Sequence, residues 1–150
     1  MILLKRITDG VASHFHVRVS EWAMVYPCLG MGIALNLQPD MFDASPSFAQ
    51  LALWLEEREW AFFVIVCAAV RLFALTVNGT FASFRFSPHI RIAAACASAA
   101  FWFQFAWGFL QAHIEGEGAL SAVIAYSTFV LLEAVNIWRS SEDVGRALRG

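Results

Sequence analysis

Two residues of opposite charge stand inside otherwise apolar stretches: Arg71 within residues 60–77 and Glu133 within residues 119–138. A charge in the middle of hydrocarbon costs on the order of 3 kcal/mol or more unless it is paired. A guanidinium and a carboxylate on two helices remove most of that cost by meeting, so the pair predicts both a helix contact and a polar site. Such a site can be a structural clamp, two side chains snorkelling separately to the interface, or a proton- or ion-handling centre. Asn136, three residues after Glu133, shares its helical face and extends the site. Gln104, near the middle of residues 92–112, and Asn78, at the end of the Arg71 stretch, are the supporting polar groups, suited to interhelical hydrogen bonds.

Other chemistry is sparse. His14 and His16 form one small cluster and His113, Glu115 and Glu117 another, each short of the four ligands of a structural metal site, so no metal is expected. No histidine lies deep in an apolar stretch, which argues against axial haem ligation; no cofactor is expected. Cys28, Cys67 and Cys96 stand alone in three different stretches without a C-x-x-C pair, which disfavours a thiol oxidoreductase. With no nucleophile–base pair or phosphate loop either, the chain reads as non-enzymatic.

The elements that must position these groups are membrane helices. Of the 150 residues, 59% are hydrophobic and only 15% charged, too few to clothe a water-facing domain. Mean hydropathy is +0.61. The expected fold is an all-α integral membrane protein, a single domain over 1–150 built as a four-transmembrane-helix bundle. Its spans are placed at about 22–37, 60–77, 92–112 and 119–138, with a polar tail over 139–150. Leu3, Ile7, Val11 and Phe15 recur every four residues, which predicts an amphipathic interfacial helix over 1–20, with a break at Asp9-Gly10. Those residues, interrupted by Lys5, Arg6 and Asp9, do not read as a signal peptide. Ser45-Pro46 reads as the start of a short extracytoplasmic helix before the second span. The run Glu56-Glu57-Arg58-Glu59 reads as a solvated face.

Basic residues sort by loop. Lys5, Arg6 and Arg18 precede the first span, Arg85 and Arg91 separate the second from the third, and Arg139, Arg146 and Arg149 follow the fourth. Eight of the ten therefore share one side, with Arg58 opposite them and Arg71 in the membrane. The positive-inside rule then puts both termini in the cytoplasm. In that frame Arg71 lies ~10 Å and Glu133 ~8 Å above the inner ends of their spans. Arg85, Arg91, Lys5 and Arg6 are placed to contact lipid phosphates. Two or three arginines beside a membrane do not make a nucleic-acid site. Asn78-Gly79-Thr80 matches a glycosylation acceptor but faces the cytoplasm in this frame. Small multidrug exporters carry an acid within span one, whereas Glu21 precedes it here. Gly30 and Gly32, with Ala93, Ala97 and Ala100, are the small residues expected to let helices approach closely.

The stretch Phe84-Arg85-Phe86-Ser87-Pro88-His89-Ile90-Arg91 before an Ala-rich span, and the ending from Glu133 to Arg139 followed by Ser-Ser-Glu-Asp, resemble small membrane proteins encoded by tailed phages and prophages. The resemblance implies a host inner-membrane location and no catalytic residues. Phage membrane proteins include lesion-forming holins and exclusion factors that bind host envelope proteins. The expected function is helix–helix association, as a homo-oligomer or as an accessory subunit of a membrane assembly. The expected partners are the lipid bilayer and either itself or other membrane proteins. The alternative is an oligomeric pore or ion-translocating protein using Arg71, Glu133 and Gln104.

Overall fold

The computed structural model describes residues 2–80 and 86–147, and every regular element among them is helical. Helix α1 (Ile2–Phe15) runs through Asp9-Gly10 without the expected break. One glycine costs a helix about 1 kcal/mol, too little to interrupt it. A 3-10 turn, His16–Arg18, leads into α2 (Val19–Leu37), which starts three residues before the expected span and so takes in Glu21. In the insert, Ser45 is extended and its Oγ accepts the Ser47 N–H at 3.3 Å. Pro46 then opens a second 3-10 turn, which leads into the short α3 (Ala49–Ala52). Three long helices follow: α4 (Glu57–Thr80), α5 (Ser87–Ile114) and α6 (Leu120–Ala147). The expected tail is thus helical to Ala147, because nothing between Trp138 and Gly145 stops a helix.

Among the described residues, three helices are long and apolar enough to cross a membrane: Glu57–Val77, Ser87–Ile114 and Leu120–Arg146. Helix α2 has 19 residues and carries Glu21, Pro27 and Asn36, which lower its hydropathy below that standard. At 1.5 Å per residue it is still ~28 Å long.

Packing runs α2 on α4, α4 on α5, and α5 on α6, while α2 and α6 touch lightly. Helix α1 packs on α4. The half of the bundle nearer the acidic loops is aromatic. Trp102 meets Phe129 at 4.8 Å and stacks on Tyr126 at 5.8 Å between ring centroids. Phe101 joins Trp60 at 5.5 Å. The insert closes this end. Phe48 sets its ring against Phe105 and Phe109, Leu51 is buried, and Trp60 Nε1 donates to Leu51 O at 3.1 Å. Glu57 accepts the Phe42 N–H at 3.0 Å, while Glu56, Arg58 and Glu59 are exposed. The acidic loop is a tight helix cap in which Gly116 adopts φ 90°. There the Glu117 N–H returns to Ala112 O at 2.8 Å, ending α5.

The small residues divide differently from the expectation. Gly32 is a close contact, since a Cβ there would meet Ile65 and Val64 of α4. Gly30 is open, with nothing within 4 Å of such a Cβ. On α5 the buried stripe is Ala94, Ala95 and Ser98, continued by Phe101, Trp102 and Phe105. Ala93 and Ala100 are exposed and Ala97 half-buried, so this stripe faces outward. The register is set by the bulky half of the helix, whose aromatic rings must fill the core, and the uniformly small half follows it.

Gly108 lets the insert approach α5, since a Cβ there would come within 2.5 Å of Ser47 O. We expect Gly108→Ala to destabilise the protein in mild detergent by about 1–3 kcal/mol, as overpacking against backbone does. Gly30→Ala should be neutral or slightly stabilising. Denaturant titration followed by tryptophan fluorescence measures both.

Candidate functional site

Helix α6 presents Glu133, Asn136, Ser140 and Asp143 at intervals of three, four and three residues, which is one helical face. The first three are fully buried, and the Asp143 side chain is 26% exposed. Against this face the other helices bring their own polar groups, forming two linked clusters at the basic end of the bundle.

The deeper cluster contains the expected pair. Arg71 Nη2 of α4 lies 2.7 Å from the Glu133 carboxylate, with the two residues 2% and 0% exposed. Asn136 Nδ2 donates to Glu133 Oε2 at 3.1 Å, and Ser20 Oγ of α2 donates to Asn136 Oδ1 at 2.7 Å. The chain Arg71–Glu133–Asn136–Ser20 therefore ties α4, α6 and α2 together. Among the described residues, Arg71 Nη1 and Ser140 Oγ are buried without a hydrogen-bond partner. Cys28 Sγ and Ser98 Oγ, 3.3 Å apart and both buried, link α2 to α5.

The second cluster was missed by the sequence reading. Arg91 of α5 is 2% exposed and grips Glu21 of α2 through both carboxylate oxygens, Nε–Oε2 at 2.7 Å and Nη2–Oε1 at 2.5 Å. Its Nη1 donates to Asp143 Oδ2 at 2.8 Å, and Arg18 Nη2 reaches the same oxygen at 3.3 Å. Burial, then the neighbouring Arg91 charge, pull the Arg18 pKa below its ordinary value, while Asp143 and Glu21 oppose them. Arg146 sits 3.6 Å from Glu142 and 3.9 Å from Asp143 on the exposed side. Arg139 donates to the backbone carbonyl of Val17.

Several expected roles are thereby revised. Arg91 does not reach toward lipid phosphate: it lies inside α5, where both of its carboxylate partners draw it inward. Glu21 lies within α2 and is neutralised by Arg91, so it is not a free membrane acid. Gln104 is half-buried and stands apart from the cluster. Six residues beyond Ser98 on the same helix, it is ~9 Å farther along and rotated by about 120°. Lys5 is exposed on α1. The side chains of Asn78, Arg6 and Arg85 lie outside the described residues. Among the described residues no group of three or more His, Cys, Asp or Glu is placed to hold a metal ion. His113 Nδ1 instead pairs with Gly118 O at 3.0 Å.

The signal for the second cluster was the spacing 133, 136, 140, 143, which continues a polar face past the point where hydropathy falls. Reading a span end from hydropathy hides it. No family model, curated protein or solved structure matches the chain.

Removing one partner of a buried ion pair leaves the other charge unpaired, at a cost of about 3–5 kcal/mol, whereas replacing both by apolar groups is often neutral. Arg71→Met and Glu133→Leu should therefore each lower the thermal midpoint of the detergent-solubilised protein, and the double variant should recover most of the loss. A double-mutant cycle showing simple additivity would mean the two groups do not interact.

Proposed function

We propose that the chain is a non-enzymatic protein of the bacterial inner membrane that works by helix–helix association with other membrane chains, first of all with its own copies. In this reading α2 is the fourth span: its ~28 Å matches a hydrocarbon layer of about 30 Å, and its most polar side chains, Glu21 and Asn36, lie near its ends. Both termini then face the cytoplasm by the distribution of arginines. The role agrees with the phage-encoded membrane proteins the chain resembles, which act on or within a host membrane.

The observation that carries the reading is the outward face of α5. Ala93, Cys96 and Ala100 are exposed and Ala97 is half-buried, a small-residue stripe that the bundle itself does not use. Lipid tails are as apolar as leucine, so exposed bulk brings no association in a bilayer. Small side chains do, because they let backbones approach closely. The ionic clusters serve this reading as internal clamps that keep α6 attached while its apolar faces stay outward. The alternative, a pore using Arg71, Glu133 and Gln104, is weakened by two features. The charged pair is internally neutralised, and aromatic rings fill the opposite half of the bundle.

Cys96 is exposed, whereas Cys28 and Cys67 are buried, which supplies a native test. Oxidative cross-linking in membranes should yield a disulfide-linked dimer through Cys96 alone. Ala93→Leu with Ala100→Leu, both at exposed positions, should lower the dimer yield ~10-fold, the change that 1.4 kcal/mol produces. A Cys96 adduct with a different protein would favour the accessory-subunit form. Monomer alone, with no adduct, would defeat the association reading.

A further inference from the structure

The basic end of the bundle contains a cavity of about 180 Å³ lined by Val17, Arg18, Glu21, Arg91, Arg139, Glu142, Asp143 and Arg146. Its four arginines face three carboxylates. Pairing them leaves one charge over: Arg91 is held by Glu21 and Asp143, Arg18 by Asp143, and Arg146 by Glu142 at 3.6 Å. Arg139 is the remainder. Its contact is the Val17 carbonyl, and among the described residues no carboxylate lies within 4.0 Å of it.

We infer that this cavity binds a phosphate-bearing anion, the headgroup of an anionic lipid, with Arg139 and Arg146 as its ligands. The two arginines are seven residues apart on α6 and so lie on one face, two turns from each other. A guanidinium offers five N–H donors in a planar fork that matches phosphate oxygens, and Arg139 commits one of them to Val17. The Arg146 side chain is 71% exposed and its ion pairs are long and open to water, so an incoming anion displaces little. The buried Arg91–Glu21 pair forms a fixed, neutral inner wall. Among the described lining residues one surplus positive charge remains, which matches the single negative charge of a phosphodiester.

The surroundings favour a lipid over a free anion. Val17, 58% exposed, lines the same cavity, and Trp138, also exposed, precedes Arg139. Such a mouth offers apolar surface to acyl chains beside cations for their headgroup. An exposed tryptophan where the apolar part of α6 gives way to its charged last turns suits the same boundary. Basic cavities between membrane helices are recurrent headgroup sites. The inference rests on the membrane reading proposed above and is independent of self-association.

Native mass spectrometry of the full chain in mild detergent tests it, with phosphatidylglycerol and phosphatidylcholine offered in equal amounts. Phosphatidylglycerol adducts should predominate. Arg139→Gln with Arg146→Gln should cut them at least fivefold relative to the parent. Arg146→Gln alone, at an exposed position that the fold does not need, should cut them about twofold. Arg139→Lys, which keeps the charge, should retain most of them. Competition by millimolar inorganic phosphate would assign the same site to a soluble anion; failure to compete would assign it to lipid. Equal retention of both lipids, or unchanged adducts in the double variant, would overturn the site. Because Cys96 cross-linking reads self-association separately, a loss here with that dimer intact would count against the cavity alone.

Discussion

A buried charge must find its opposite, and in this bundle that constraint ties together helices that are not packing neighbours, α4 with α6 and α2 with α5. Arg71, Arg91, Glu21 and Glu133 are all almost wholly withdrawn from the surface. Each would be prohibitively costly alone in a low-dielectric interior. Their pairing joins α4 to α6 and α5 to α2, and Asn136, Ser20 and Asp143 close the remaining gaps. The contact between α2 and α6 illustrates the point. The two helices touch lightly, and the hydrogen bond from Ser20 to Asn136 joins them at the basic end.

The other half of the bundle is held differently. There Trp60, Phe101, Trp102, Phe105 and Tyr126 interlock, and the insert's Phe48 and Leu51 seal the end. Away from the polar ties α2 and α6 diverge, leaving an open apolar groove of about 480 Å³ whose lining includes Tyr26, Gly30 and Tyr126. Geometric specificity thus comes from charge at one end, where directional bonds set the register. At the other it comes from shape, where large rings fill space. A bundle built this way can expose most of α6 without losing it. Of the most apolar 18-residue window in that helix, 11% is buried, against 44% in α5.

This arrangement explains why the outward faces are free to differ in character. Helix α5 turns small residues outward in its first half and Phe103 and Trp107 in its second. Helix α6 turns out Leu131, Val135 and Trp138. In water such faces would be a liability; in a bilayer they are ordinary solvent contact, and only the small-residue stripe favours close approach of another helix. The buried charges among the described residues lie toward the basic end, where arginines and an exposed tryptophan meet.

Much of this was written in the residue order alone. Hydropathy and charge spacing sufficed for an all-helical, membrane-like chain, for Ser45-Pro46 as a helix start, and for Arg71 and Glu133 as a pair, because each depends on local pattern or on the cost of a lone charge. What the order could not decide was which side of each helix faces in. A run of Ala, Cys and Ser looks alike all round, so Ala93, Ala97 and Ala100 read as small packing residues with no side assigned; the aromatic half of α5 turns them away from this bundle's own core. Arg91 and Glu21 read as flanking charges because hydropathy ends a span where polarity begins. Only three-dimensional packing brings residues 21, 91 and 143 to one place. Sequence determines which groups cannot be left alone; tertiary structure decides which of them meet, since that depends on helix rotation and register across the whole bundle.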